Sequence, residues 1–159
     1  MRKILVPTDF SKNAFNALKY ACQVFKYEKS EIFIMHAYAD EVYQQDKLTK
    51  RNQLDKLKEE TSQESERRLK SVLEDIKHHY PNPQHKYRNV STFGSLIDEV
   101  NDLVNQENMD IVVMGTRGET NDRSITFGSN TLQVLKYISC PVLAIPESFE
   151  YHSPKEVLF

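Results

Sequence analysis

Asp110-Ile111-Val112-Val113-Met114-Gly115-Thr116-Arg117-Gly118 and, after nine more residues, Gly128-Ser129-Asn130-Thr131 form the stretch that decides the fold. Ile111 to Met114 are apolar without alternation, so they read as a strand buried on both faces. The chain has only four glycines, and three of them follow this strand. Backbone freedom is therefore concentrated at one place. Residues 129–139 then read as a helix with Leu132, Leu135 and Ile138 turned inward. A buried strand, a glycine-bearing loop and a helix make the repeating unit of a parallel α/β sheet.

The rest of the chain repeats the unit. Ile4-Leu5-Val6 ends at Pro7-Thr8-Asp9, a strand and its turn, and Ser11 caps a helix carrying Ala14, Leu18, Ala21, Cys22 and Phe25. Residues 31–37 form a second buried strand. Residues 41–79 are a long polar stretch with few apolar residues at first (Leu48, Leu54, Leu57). It closes on a helical stripe of Leu69, Leu73, Ile76 and Tyr80, ended by Pro81 and Pro83. As one helix this stretch would run about 57 Å, against a radius of gyration of about 15 Å for the domain, so its N-terminal part is expected to break, fray or project. Residues 86–91 are a weak strand, polar enough for a sheet edge. Ser95-Leu96-Ile97-Asp98 has the form of a capping box before a helix with Leu96, Ile97, Val100, Leu103 and Val104. Pro141-Val142-Leu143-Ala144-Ile145 is the last strand. Five strands alternating with helices predict a doubly wound parallel sheet covered on both faces.

Composition narrows the function classes. The chain has 159 residues, 39% hydrophobic and 28% charged, with Lys+Arg 21 against Asp+Glu 23 and a net charge of -2. One domain over residues 1–147 is expected, with residues 148–159 as a tail. A near-neutral chain has no overall attraction for nucleic acid or for an acidic membrane. Cys22 and Cys140 have no metal-binding spacing and read as structural thiols in a reducing, cytoplasmic setting. Lys155-Glu156-Val157-Leu158-Phe159 resembles Arg2-Lys3-Ile4-Leu5-Val6, so the tail reads either as the start of a second tandem copy or as a coincidentally apolar end.

In an open parallel sheet, ligands bind beyond the carboxyl ends of the strands, where the strand order reverses. Two loops occupy such positions: Pro7-Thr8-Asp9, and Gly115-Thr116-Arg117-Gly118 with Gly128-Ser129-Asn130-Thr131. Gly115 and Gly118 allow close backbone approach and positive φ. Gly128-Ser129 opens a helix whose free N–H groups and dipole favour phosphate, with the hydroxyls of Ser129 and Thr131 beside them. Arg117 and Arg123 could reach terminal phosphates, and Asp9 could meet a ribose or a divalent ion. Taken singly, these are also ordinary turn glycines, an ordinary cap, an Asx-turn aspartate and solvated arginines. Three glycines together after a buried strand favour function.

Val6-Pro7-Thr8-Asp9-Phe10-Ser11, the Gly115-x2-Gly118-x9-Gly128-Ser129 motif and Cys140-Pro141-Val142-Leu143 together resemble the universal stress protein family, over almost the whole chain. The resemblance implies an open five-stranded parallel sheet of order 3-2-1-4-5, Rossmann-like and of the adenine nucleotide alpha hydrolase-like kind. It implies ATP, with Mg²⁺ as a companion ion, held between the loops after strands one and four. Pro7, Thr8 and Asp9 would line the adenosine side, Ala37 would meet adenine through its backbone, and Met114 and Gly115 would flank base and ribose. Gly118, Gly128, Ser129, Asn130 and Thr131 would cradle the phosphates, with Arg117 beside them. It further implies a homodimer, or a tandem pseudo-dimer, through the last strand. Glu119 and Asp122 depart from the pattern by placing negative charge inside the phosphate loop.

No Walker A sequence or strand-one G-x-G-x-x-G is present, no histidine pattern suggests a metal, and no Ser-His-acid arrangement is suggested by position. His36 reads as a hydrogen-bonded residue at the core edge. Without an acceptor or general base, a nucleotide-dependent stress sensor or adaptor is favoured over an enzyme, with weak ATP hydrolysis incidental. The alternative is a nucleotide-free dimeric interaction module that uses residues 42–79. An adenylyl-transferring enzyme ranks third.

Overall fold

A computed structural model of the chain describes residues 1–49, 53–117 and 127–153. Five strands, β1 (Arg2–Pro7), β2 (Ser30–Ala37), β3 (His85–Thr92), β4 (Ile111–Gly115) and β5 (Val142–Ile145), alternate with five helices. These are α1 (Lys12–Val24), α2 (Ala39–Thr49), α3 (Leu54–His79), α4 (Leu96–Glu107) and α5 (Ser129–Tyr137). The strands are parallel and ordered β3-β2-β1-β4-β5. The expected α/β architecture and strand order are thus the observed ones.

The strand residues divide by parity, as a sheet buried on both faces requires. Ile4, Val6, Ile32, Ile34 and Val113 pack with α1 and with Leu69 and Ile76 of α3. Leu5, Phe33, Met35, Val112 and Met114 pack with Val100 and Val104 of α4 and with Val134 and Ile138 at α5. The polar β3 stands at one edge and β5 at the other.

Helix starts follow the sequence. Ser11 accepts a hydrogen bond from the Ala14 N–H, and Ser95 accepts one from the Asp98 N–H. Asp98 in turn accepts from the Ser95 hydroxyl at 2.8 Å. The long polar stretch is two helices, α2 and α3. From Ser65 onward α3 is committed to the sheet through buried Ser65, Leu69 and Ile76, whereas its first turns are largely exposed. Phe93 ties the pair together at the strand ends: Tyr38 and Tyr43 rings lie 5.8 Å from it, and the Lys58 ammonium stands 4.2 Å above it.

One helix face differs from expectation. Thr131 and Val134 are the buried residues of α5, while Leu132 and Leu135 are 49% and 42% exposed. The apolar spacing marks a real stripe, but only Ile138 of the three expected residues turns into the core. After β5 the chain crosses α1: Asn16 donates to the Phe149 carbonyl, and Tyr20 packs against Phe149 and Tyr151. The apolar run 155–159 lies outside the described residues.

Candidate functional site

The carboxyl ends of β1, β2 and β4 open on one cleft of about 250 Å³. Pro7, Thr8, Asp9, Ala37, Met114, Gly115, Arg117, Asn130 and Thr131 line it. These residues come from four separate stretches of the chain, and the parallel topology brings them together where β1 and β4 diverge from the order of the chain. Gly128 and Ser129 stand next to the lining at the start of α5, with Gly128 as its N-cap. Gly118, Glu119, Asp122 and Arg123 lie outside the described residues. A more open hollow of about 670 Å³ shares Arg117 and is walled by Thr116, Phe127 and Pro146.

Local hydrogen bonding sets the walls. The Thr8 hydroxyl accepts from the Phe10 N–H at 3.0 Å, and Asp9 Oδ1 accepts from the Ser11 N–H at 2.9 Å. Asp9 is therefore an Asx-turn residue as well as a cleft residue. Between them and α1, Phe10 holds a left-handed backbone at φ 65°. A bulky residue adopts that conformation only where its surroundings fix it. Ring contacts fix Phe10: its centroid lies 4.5 Å from that of His36 with the two rings tilted by 58°, and the Arg68 guanidinium sits 4.3 Å above it.

Opposite, β4 is joined to α5. The Thr131 hydroxyl donates to the Gly115 carbonyl at 2.9 Å, and Thr131 is buried. Its hydrogen is spent on the Gly115 carbonyl, so within the cleft lining this hydroxyl fastens α5 to β4. The Gly128 N–H donates to the Thr116 carbonyl at 2.7 Å, and the Thr116 N–H to the Ile145 carbonyl at 2.9 Å. Gly115 does not use positive φ; no described glycine does. What glycine provides here is room: a Cβ would stand 3.2 Å from the Arg117 carbonyl oxygen and 3.3 Å from that of Asn13, tight contacts with backbone atoms that would have to give by a few tenths of an ångström. Ser129 and Asn130 are exposed at the helix start, and the first turn of α5 carries no acidic residue.

The sequence reading missed the α2 wall. Asp40, Glu41 and Gln44 also line the cleft, as do His36 and Leu96. The available signal was position: the first residues after β2 sit at a strand's carboxyl end, where the switch-point rule applies. His36 is 3% exposed, and both ring nitrogens are engaged. Nε2 lies 2.8 Å from Glu41 Oε1, and Nδ1 lies 2.8 Å from the Ser65 hydroxyl, which is 2.7 Å from that of Ser91. The His36 hydrogen bond holds the Glu41 carboxyl below its ordinary range, partly opposed by burial, with the charges of His36 and Arg68 adding to it. A Glu-His-Ser chain therefore exists that the sequence did not suggest. Ser65 is buried against Ser91, so its hydroxyl meets the protein rather than a substrate.

Among the described residues no group of three or more His, Cys, Asp or Glu side chains could hold a metal ion. None of the described helices is long and apolar enough to cross a membrane. Burial pushes the Cys22 thiol up to about 11, and Cys140 donates to the Met109 carbonyl. Both cysteines are free.

Comparison with known proteins agrees with this architecture. Universal stress protein MJ0577 of Methanocaldococcus jannaschii is 31% identical over 157 residues, spanning 91% of this chain and 94% of that protein. A solved structure of MJ0577 matches with a TM-score of 0.75 at 28% identity, covering 94% of this chain and 98% of that one. Two further universal stress protein structures share the fold. One is described in complex with cAMP (TM-score 0.66, 17% identity, 92% and 98% covered). The other, from Archaeoglobus fulgidus, is described in complex with dAMP (TM-score 0.57, 16% identity, 91% and 98% covered). The universal stress protein family model matches residues 1–146; with the sheet order and the relatives in agreement, the chain belongs to the universal stress protein family.

Proposed function

We propose that the cleft at the ends of β1, β2 and β4 binds an adenine nucleotide, ATP in the first instance, and that the protein acts as a nucleotide-dependent adaptor in a cytoplasmic stress response. The observation that carries this reading is the convergence of Pro7, Thr8, Asp9, Ala37, Met114, Gly115, Arg117, Asn130 and Thr131 on one cleft. Beside them, the N-cap of α5 makes no side-chain hydrogen bond and the first turn carries no acid, which suits a helix start to phosphate. A cleft of about 250 Å³ suits base and ribose. The phosphates then run past Arg117 toward Gly128, Ser129 and Asn130. Related proteins described with cAMP and with dAMP support the ligand class.

With no preformed cation cluster among the described residues, Mg²⁺ fits as a companion of the triphosphate, with Asp9 as the one acidic neighbour offered by the β1 loop. It would supply charge neutralisation between phosphate oxygens. Binding, rather than turnover, is the activity assigned. The exposed Leu132 and Leu135 on α5, beside the edge strand β5, favour a homodimer over an isolated subunit.

The test is calorimetric titration of ATP–Mg²⁺ into the protein and into Arg117→Gln and Asn130→Ala. Arg117→Gln removes a charged donor and Asn130→Ala an amide donor, so each is expected to weaken binding about tenfold or more. Unchanged affinity in both variants would place the phosphates elsewhere.

A further inference from the structure

Resting on the nucleotide reading above, we infer that Glu41 reads the base: its carboxylate, positioned by His36, accepts a hydrogen bond from an exocyclic amine, so that the cleft takes a 6-aminopurine ahead of the 6-oxo counterpart.

Two helices, α2 and α5, start at this cleft, and each presents the positive end of its dipole. The first turn of α5 carries no acid, whereas the first turn of α2 carries Asp40 and Glu41. Both of those carboxylates line the cleft. Phosphate is therefore repelled from the α2 end and drawn to the α5 end, where Arg117 also lies. A nucleotide has one way round that satisfies this polarity, with its uncharged base against α2.

Glu41 is not a loose surface acid at that end. A carboxylate only accepts, so the hydrogen between it and His36, 2.8 Å away, sits on Nε2. Behind the ring, the Ser65 and Ser91 hydroxyls form a chain at 2.8 and 2.7 Å from Nδ1. Hydroxyls turn freely, so the chain is satisfied whether Nδ1 accepts or donates, and Nε2–H faces Glu41 in both charge states of the ring. Phe10 and Arg68 stack to one side of His36, completing a rigid mount. Even so, the Glu41 side chain keeps 46% of its surface exposed, and one hydrogen bond leaves a carboxylate with capacity for further donors.

An ionised, fixed, acceptor-only group discriminates in one direction. It pairs with an amine and repels a carbonyl oxygen placed at the same point. His36 and Ser65 act through Glu41 as positioning residues.

ATP and ITP serve as the probes: they differ at C6, amine against carbonyl, and at the adjoining N1, which is a bare acceptor in ATP and carries a hydrogen in ITP. For the full chain, calorimetry is expected to show ATP binding at least about tenfold tighter than ITP. In Glu41→Gln, whose amide offers either a donor or an acceptor, the ratio is expected to fall to within about threefold, by loss for ATP and gain for ITP. Glu41→Asp withdraws the carboxylate by one methylene, so ATP weakens while ITP stays poor; this variant carries the test if the glutamine variant does not fold. Asn130→Ala is expected to weaken both nucleotides together and keep the ratio. A wild-type protein that binds both equally, or a Glu41→Gln variant that keeps the full ratio, overturns the role of Glu41 and leaves the nucleotide reading standing. Binding of neither nucleotide to the wild-type protein overturns both.

Discussion

Thr131 shows how a single side chain can join the two ends of a motif from inside the protein. Its hydroxyl is buried and bonded to the Gly115 carbonyl, so it holds the two halves of the glycine motif at a fixed distance. Thr131→Val keeps the volume and removes the donor. It is expected to cost about 1–3 kcal/mol in urea unfolding, because a buried carbonyl loses its partner. Gly115 was legible as a glycine suited to close backbone approach, and in the structure it is the chain's own backbone that a Cβ would meet, at 3.2 and 3.3 Å. No sequence pattern distinguishes a neighbour of that kind from a ligand.

Cys22 was legible as a buried thiol from its helical spacing with Leu18 and Phe25. Its thiol is raised from about 9 to about 11 by burial, against the weak opposing contact with Tyr87. A raised acid resists ionisation only in the folded state. Stability is therefore full below pH 9 and declines as the pH rises from about 9 to 11, where the unfolded thiol ionises first. At pH 8, Ellman's reagent is expected to leave Cys22 unmodified until the protein unfolds, and rapid labelling under native conditions would contradict its burial.

At the scale of the element, length alone said that the N-terminal part of the long polar stretch breaks, frays or projects, since a single rod would overrun the domain; that it is carried by a separate helix, α2, was not legible. Which part belongs to the core followed from the stripe Leu69-Leu73-Ile76. Leu69→Ala is expected to cost about 2–5 kcal/mol, because Leu69 is 1% exposed against β2 and α1. Lys56→Ala, in the exposed first turns, removes only a 3.9 Å surface pair with Glu60 and is expected to change stability by no more than about 0.5 kcal/mol.

The α5 stripe was read correctly as apolar and wrongly as wholly inward. A short helix over the end of a four-residue strand covers only part of its face, and periodicity cannot say whether the rest meets the core or a partner. Leu132→Glu with Leu135→Glu is expected to convert a dimer to a folded monomer in light scattering after size exclusion. A wild-type protein that is already monomeric at the concentration tested would contradict the dimer.

At the scale of the molecule, the fold was almost fully legible, because buried parallel strands announce themselves as unbroken apolar runs and the topology rules leave few ways to connect five of them. The cleft was legible on the side built by β1, β4 and α5, where glycines and a helix start make a recognisable spacing. The α2 side was not. Asp40, Glu41 and Gln44 look like the beginning of a solvated polar segment, and only the packing of α2 beside the end of β2 turns them toward the cleft. The Glu41–His36–Ser65–Ser91 chain joins residues 50 positions apart across β2, α2, α3 and β3, a juxtaposition that no local spacing encodes.

Nucleotide binding at this cleft is the central claim, and mass spectrometry of small molecules released from freshly purified, denatured protein tests it most directly, with ATP–Mg²⁺ calorimetry on the same preparation. An adenine nucleotide is expected in the released fraction, or a saturable one-to-one heat of ATP binding that Asn130→Ala diminishes. Neither a released adenine nucleotide nor any heat of binding would contradict it, and would leave the glycine motif as a structural joint between β4 and α5.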